Sequence, residues 1–143
     1  MDLAHPLGEE AGSLPRCTAP YSVQPHEGRL GKVKQLAAVA RDVADLADEA
    51  QEVSDAYVTL LVHAGIAAAD VICCARLGEY AQGSNHNEAI ALLKKADPDS
   101  ARHLETLLKM KTRVGYGHTP ASQVDLKKAQ RAGDALLKTA RAL

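Results

Sequence analysis

The stretch "AYVTLLVHAGIAAADVICCA", residues 56–75, constrains this chain more than any other part of it. His63 and Asp70 are its only strongly polar side chains. A helix that is apolar nearly all round has to be covered all round, so the other segments must be arranged about it. Twenty such residues also approach the length of a membrane span. Much of the run is Ala and Gly, however, and an ionisable group inside a membrane is expensive. The expectation is a central, buried helix that opens at Ser54-Asp55 and is closed by Gly78, with no membrane partner.

What surrounds that helix should be helical too. The 143 residues include 26 alanines and 18 leucines but no Phe and no Trp. Ala and Leu are strong helix formers. Small side chains let helix axes approach, whereas a sheet would favour Val, Ile and aromatics. An all-α, antiparallel up-and-down bundle of four to five helices follows. Residues 1–30 hold four of the six prolines and read as a flexible tail. Residues 31–143 then form one bundle domain. Its first helix is "GKVKQLAAVARDVADLADEAQEV", with apolar residues every three or four positions. Asn85 and Glu88 fit a capping box for a short third helix. Asp97-Pro98 puts a good N-cap before a proline that suits the first helical position of a fourth. Ser122 and Asp125 make a second box for the last. No strand pattern and no internal repeat is visible.

Charge is divided along the chain although the net is only −1. Residues 1–93 carry six Lys and Arg against 13 Asp and Glu, and residues 94–143 carry 11 against five. A basic second half can attract phosphate, and Lys109, Lys111, Lys127, Lys128 and Arg131 are its candidate nucleic-acid contacts. Acidic and basic helices pairing within the bundle, or across a dimer, would account for the same division.

The three cysteines do not form a disulfide framework, and the adjacent Cys73 and Cys74 lack metal-site spacing. They read as core thiols of a reduced, cytoplasmic protein, and no metal or other cofactor is expected. The opening "MDLAHPLGEEAGSLPRC" lacks the basic-then-apolar pattern of a secretory signal.

The segment "KTRVGYGHTP", residues 111–120, holds Arg113 and His118 with four residues between them. A guanidinium fork suits phosphate, and an imidazole moves protons near neutral pH. Together they could cleave RNA without a metal. The imidazole would handle the 2′-hydroxyl or leaving-group proton while the guanidinium stabilised the charged phosphorane. A plainer reading is an Arg that meets the dipole of a last helical turn and a His on a turn surface. Tyr116, between glycines, could stack on a base or plug the end of the bundle.

Three parts of the chain, "AGIAAADVICCARLG", "SNHNEAIALL" and "LLKMKTRVGYGHTPASQVDLKKAQRAGDALLKTAR", resemble the HEPN (higher eukaryotes and prokaryotes nucleotide-binding) superfamily, in particular a compact bacterial group. The resemblance covers roughly residues 54–142. Members with an Arg, four to six residues and a His are metal-independent endoribonucleases, often toxins of toxin–antitoxin pairs. The resemblance therefore implies Arg113 and His118 as a catalytic pair, and a homodimer whose two signatures face each other across a composite cleft. It also implies Asp70 as an acid that orients the Arg. Bundles without the motif bind nucleotide, nucleic acid or protein partners. Val114 stands where the family usually has a polar residue. Gly115 and Gly117 stand where a helix usually continues, so the helix is expected to end inside the motif.

His63 and Asp70, seven apart, share a face. A buried acid needs a partner, and Arg76, Lys109 and Arg113 are the candidates for Asp70. His63 reads as a core or interface histidine, and His86 and His103 as solvated. Three functions remain open. One is a metal-independent ribonuclease, and the second is a non-catalytic module for RNA, a nucleotide or a partner protein. The third is an oligomer built on the small faces of Ala64, Gly65, Ala68 and Ala69.

Overall fold

The computed structural model describes residues 23–46, 54–81, 85–117 and 119–143. The described residues form five helices: α1 (Val23–Leu46), α2 (Ser54–Leu77), α3 (His86–Ala96), α4 (Pro98–Tyr116) and α5 (Gln123–Arg141). There is no strand among the described residues. The chain is all-α, as its Ala and Leu content dictates. Residues 1–22 of the expected tail lie outside the described residues.

Helix α1 starts at Val23, eight residues before the expected start at Gly31. Pro25 is its third residue, and the first-turn N–H groups of a helix have no intrahelical acceptor for a proline to remove. Gly28 and Gly31 each weaken the helix by about 1 kcal/mol relative to Ala. Packing offsets them: Val33 and Ala40 are fully buried, and α1 lies along α2. The Arg29 guanidinium also sits 4.1 Å from the centre of the Tyr80 ring, beyond the end of α2.

The apolar run becomes the centre of the bundle. Helix α2 touches each of the other four, and Val58, Leu61, Val62, Ala64, Gly65, Ala68, Ala69, Val71, Ile72 and Cys73 are buried along it. By length and composition it could cross a membrane, and 56% of that window is buried against the rest of the bundle. Gly78 closes it in the left-handed region at φ 70°, donating its N–H to the Cys74 carbonyl at 3.0 Å. His63 is exposed, so of its two expected places it does not take the core. One expectation on this helix fails. The small face of Ala64, Gly65, Ala68 and Ala69 is covered within the chain, so it does not serve an oligomer.

The caps follow the sequence closely. Asn85 Oδ1 accepts from the Glu88 N–H at 3.1 Å at the start of α3. Ser122 and Asp125 complete a reciprocal box at the start of α5, with bonds of 3.0 and 3.1 Å. Asp97 precedes Pro98 as expected but makes no side-chain cap. Its carboxylate instead accepts from the Ser100 hydroxyl at 2.7 Å and lies 3.7 Å from Arg76.

The two neighbouring cysteines have separate fates, because adjacent residues point about 100° apart on a helix. Cys73 is a buried free thiol, as expected, and its pKa is pushed up to about 12 by burial and then by Asp70. Cys74 is not a thiol: it is disulfide-bonded. Reduced cysteines throughout were therefore the wrong expectation.

Gly65 marks the tightest crossing. A Cβ placed there would lie 2.5 Å from Leu107 Cδ1 and 3.3 Å from Leu136 Cδ1, and both leucines are fully buried. Leu107 would have to turn its tip into a filled core, or α4 would have to move away from α2. Gly65→Ala is expected to lower stability by about 1–3 kcal/mol. Chemical denaturation checks this, and an unchanged midpoint would mean that the crossing is looser than described.

Candidate functional site

Helix α4 is amphipathic because Ala101, Leu104, Leu107, Leu108, Met110 and Val114 recur at helical spacing and are buried. Its outer edge carries His103, Thr106, Lys109 and Arg113. Helix α5 buries Ala129, Ala132, Gly133, Leu136, Leu137 and Ala140 and leaves Lys128 and Arg131 outside. The short connection after Tyr116 makes the two helices antiparallel neighbours. Between them runs an open groove of about 650 Å³. Lys109, Arg113, Lys128 and Arg131 border it, His103 and Thr106 continue its α4 side, and buried Met110 and Ala132 reach its floor.

One acid lines this groove among the described residues, and it has other partners. Asp125 accepts from the Ser122 N–H in the capping box, and its Oδ1 accepts from the Arg113 guanidinium. The Ser122 backbone bond, with Arg113 adding to it, holds the Asp125 pKa below its ordinary value. Arg113 remains 60% exposed, so most of its fork still faces solvent. Lys109 lies 3.2 Å from Glu105 as an exposed i,i+4 pair, an interaction worth only a few tenths of a kcal/mol.

The joint that aligns the two helices is built from backbone bonds. Gly117 ends α4 and donates to the Arg113 carbonyl at 2.9 Å, so the helix stops inside the motif as its glycines predict. Gly115 does not stop it, since α4 runs on to Tyr116. The Ala121 N–H donates to Asp55 Oδ1 at 2.9 Å, which ties the turn to the first turn of α2. Val114 is buried, which explains an apolar residue straight after Arg113.

The sequence-predicted residues divide into two sets. Arg113, Lys109, Lys128 and Arg131 converge on the groove. Lys111 does not, because two residues along α4 turn it about 200° from Lys109. Its Nζ instead lies 3.3 Å from His86 Nε2 on α3. Lys127 faces a different groove, of about 270 Å³, with Arg41, Asp45 and Tyr57. His118 lies outside the described residues, as does the side chain of Tyr116. His103, expected to be solvated, is half-buried and lines the basic groove, and His86 is half-buried as well. His103, Thr106, Met110 and Arg113 follow a three-to-four spacing that could have placed them on one edge of α4.

Asp70 takes none of its expected partners. Arg76 donates to the Ala96 carbonyl at 3.0 Å and approaches Asp97, Lys109 pairs with Glu105, and Arg113 pairs with Asp125. Asp70 lines a small cavity of about 40 Å³ together with His86, Ala81 and Leu104. Burial raises its pKa to about 6, and the positive charge of Arg29 opposes that rise only in part. No group of three or more His, Cys, Asp or Glu that could hold a metal occurs among the described residues.

Comparison with protein-family models, curated proteins and solved structures found no match for this chain. The likeness to HEPN bundles accordingly rests on the motifs quoted above and serves below as part of a proposal.

The raised pKa of Asp70 carries a stability consequence. The unfolded carboxyl ionises near 3.8, whereas the folded one holds its proton up to about 6. Folding therefore loses stability as pH rises through that window, by on the order of 2–3 kcal/mol at pH 7. Asp70→Asn, which mimics the protonated acid, should stabilise the fold at pH 7 and make no difference near pH 3.5. Thermal melts of both proteins across this range check it, and a variant less stable at pH 7 would show that the Asp70 carboxylate gains more from a partner than it loses by burial.

Proposed function

We propose that this protein is a nucleic-acid-binding helical module that holds the phosphate backbone of RNA in the α4–α5 groove. The observation that carries this reading is the convergence of Lys109, Arg113, Lys128 and Arg131 on one groove. Four cations from two helices face one open channel, and the single acid there is already engaged by a capping box and an Arg. Lys and Arg in such numbers neutralise phosphates and release counterions, which supplies most of non-specific nucleic-acid affinity. The HEPN resemblance points to the same class of ligand, and it implies a homodimer as the working unit.

Four phosphate contacts on a single strand imply that log K falls with log salt at a slope of about −3. Lys128→Ala and Arg131→Ala should each weaken binding and make the slope shallower by roughly 0.7. Lys111→Ala and Lys127→Ala, which face other surfaces, should leave the slope unchanged. Fluorescence anisotropy of labelled RNA at several salt concentrations tests this. Salt-independent binding, or equal losses in all four variants, would remove the groove from consideration.

A second reading adds catalysis, and the placement of Arg113 favours it. Asp125 holds that guanidinium at the mouth of the groove, five residues before His118 in the chain. Arg113 would stabilise charge on phosphorus, and His118 would transfer the proton. The purified protein would then cleave RNA in EDTA, and His118→Ala would lose that activity with its helical circular dichroism intact. Cleavage that persists undiminished in the variant would belong to a contaminating nuclease.

A further inference from the structure

The lining of the α4–α5 groove says how a strand would be read, given that the groove binds RNA as proposed above. Along α4, His103 and Arg113 are ten residues apart, about 15 Å at 1.5 Å per residue. The opposite wall runs antiparallel, with Arg113 held to Asp125 at one end. From that anchor, the helical rise of two antiparallel helices puts Lys109 near Lys128 and Arg131 toward Thr106 and His103. Positive charge thus follows the groove as a line, with cations contributed from both walls. A strand that keeps its helical stacking rises about 3.4 Å per phosphate, so roughly four phosphates of such a strand fit this length. Four cations meet them.

Reading bases needs a different set of side chains. Sequence-tolerant single-strand binders usually stack bases on aromatic rings, each stack improving affinity roughly fivefold or more. Base-specific contacts come from amides, carboxylates or an Arg or Lys on a guanine edge, and the Arg and Lys side chains here are matched to the phosphates. This chain has no Phe or Trp and only four tyrosines. Tyr57 lines the other groove, against α1 and α5, and Tyr80 lies under Arg29. Among the described residues no Tyr, Asn or Gln lines the basic groove, and His103 is its one ring. The one carboxylate is committed to Ser122 and Arg113.

We propose that the groove recognises a linear run of phosphates and is blind to the bases attached to them. A nucleic-acid strand and inorganic polyphosphate share that chemistry. Single phosphates do not, because one anion meets only one or two of the four cations.

Three probes and one variant test this on the full chain. Labelled oligouridylate and oligoadenylate of equal length should bind within about threefold of each other, since the described lining holds one imidazole and no Tyr ring to stack on. Inorganic polyphosphate of matched length should displace the RNA completely, and UMP or inorganic phosphate at the same phosphate concentration should not. Tyr116→Ala, with its fold checked by circular dichroism, should bind both RNAs as tightly as the unaltered protein.

A preference of roughly tenfold between the two RNAs would overturn the inference, as would a similar loss in Tyr116→Ala. So would polyphosphate that leaves the RNA bound. In each of those cases RNA still binds, and the proposed function stands without base-blindness. Should neither RNA bind at low salt, the inference and the proposed function fall together.

Discussion

The covering of α2 is the constraint on which the rest of the structure depends. A helix with apolar side chains nearly all round gains nothing from a single neighbour, and here four helices are needed to shield it. Because its own residues are small, the neighbours must come close for the contacts to be made at all. Gly65 lets Leu107 and Leu136 reach the α2 backbone, and Gly133 lets Leu61 approach α5 in the same way, a Cβ there lying 3.1 Å from Leu61 Cδ2. Removing Phe and Trp from a core does not leave it empty, because packing density is restored by shorter distances between axes. Such a core has little tolerance for added atoms.

That close packing also fixes the basic groove. Helices α4 and α5 are each pinned to α2 by their apolar faces, so their outer edges are set at a definite separation. The joint between them is held from three directions: Gly117 to Arg113, Ala121 to Asp55, and Ser122 with Asp125. Asp125 takes part in both kinds of structure. Its carboxylate caps α5, and the same carboxylate orients Arg113 at the groove mouth. The position of the guanidinium is thus a by-product of how the helix begins.

Much of this was legible in the sequence because it depends on local chemistry. The central helix, its Gly78 cap, the Asn85 and Ser122 boxes and the Pro98 start each follow from residues within one turn of one another. Lys109, Arg113, Lys128 and Arg131 were identifiable as basic, but their convergence was not, because it depends on the register between two helices. That register also separates them from Lys111 and Lys127, which composition alone groups with them. Asp70 is the instructive failure. Its expected partners were all plausible by charge, yet each found a nearer acceptor within its own segment or at a helix end. Cys74 is another, since nothing in the spacing of adjacent cysteines shows that one of the two is disulfide-bonded.

The contrast between Asp70 and Asp125 shows how one residue type is used in two ways by the same fold. Asp125 is held by hydrogen bonds that favour its charged form, so its negative charge persists where a cation can use it. Asp70 has burial without such bonds, and it is driven toward its neutral form. The positive charge of Arg29 opposes this only in part, and its guanidinium lies over the Tyr80 ring. On the α4–α5 side the balance is opposite: Asp125 pairs with Arg113 and Glu105 with Lys109, while Lys128 and Arg131 add positive charge that faces water. An excess that the fold does not neutralise internally has to be balanced by ions from solution. A polyanion does this with less loss of entropy than the same number of separate counterions, because its charges arrive already linked.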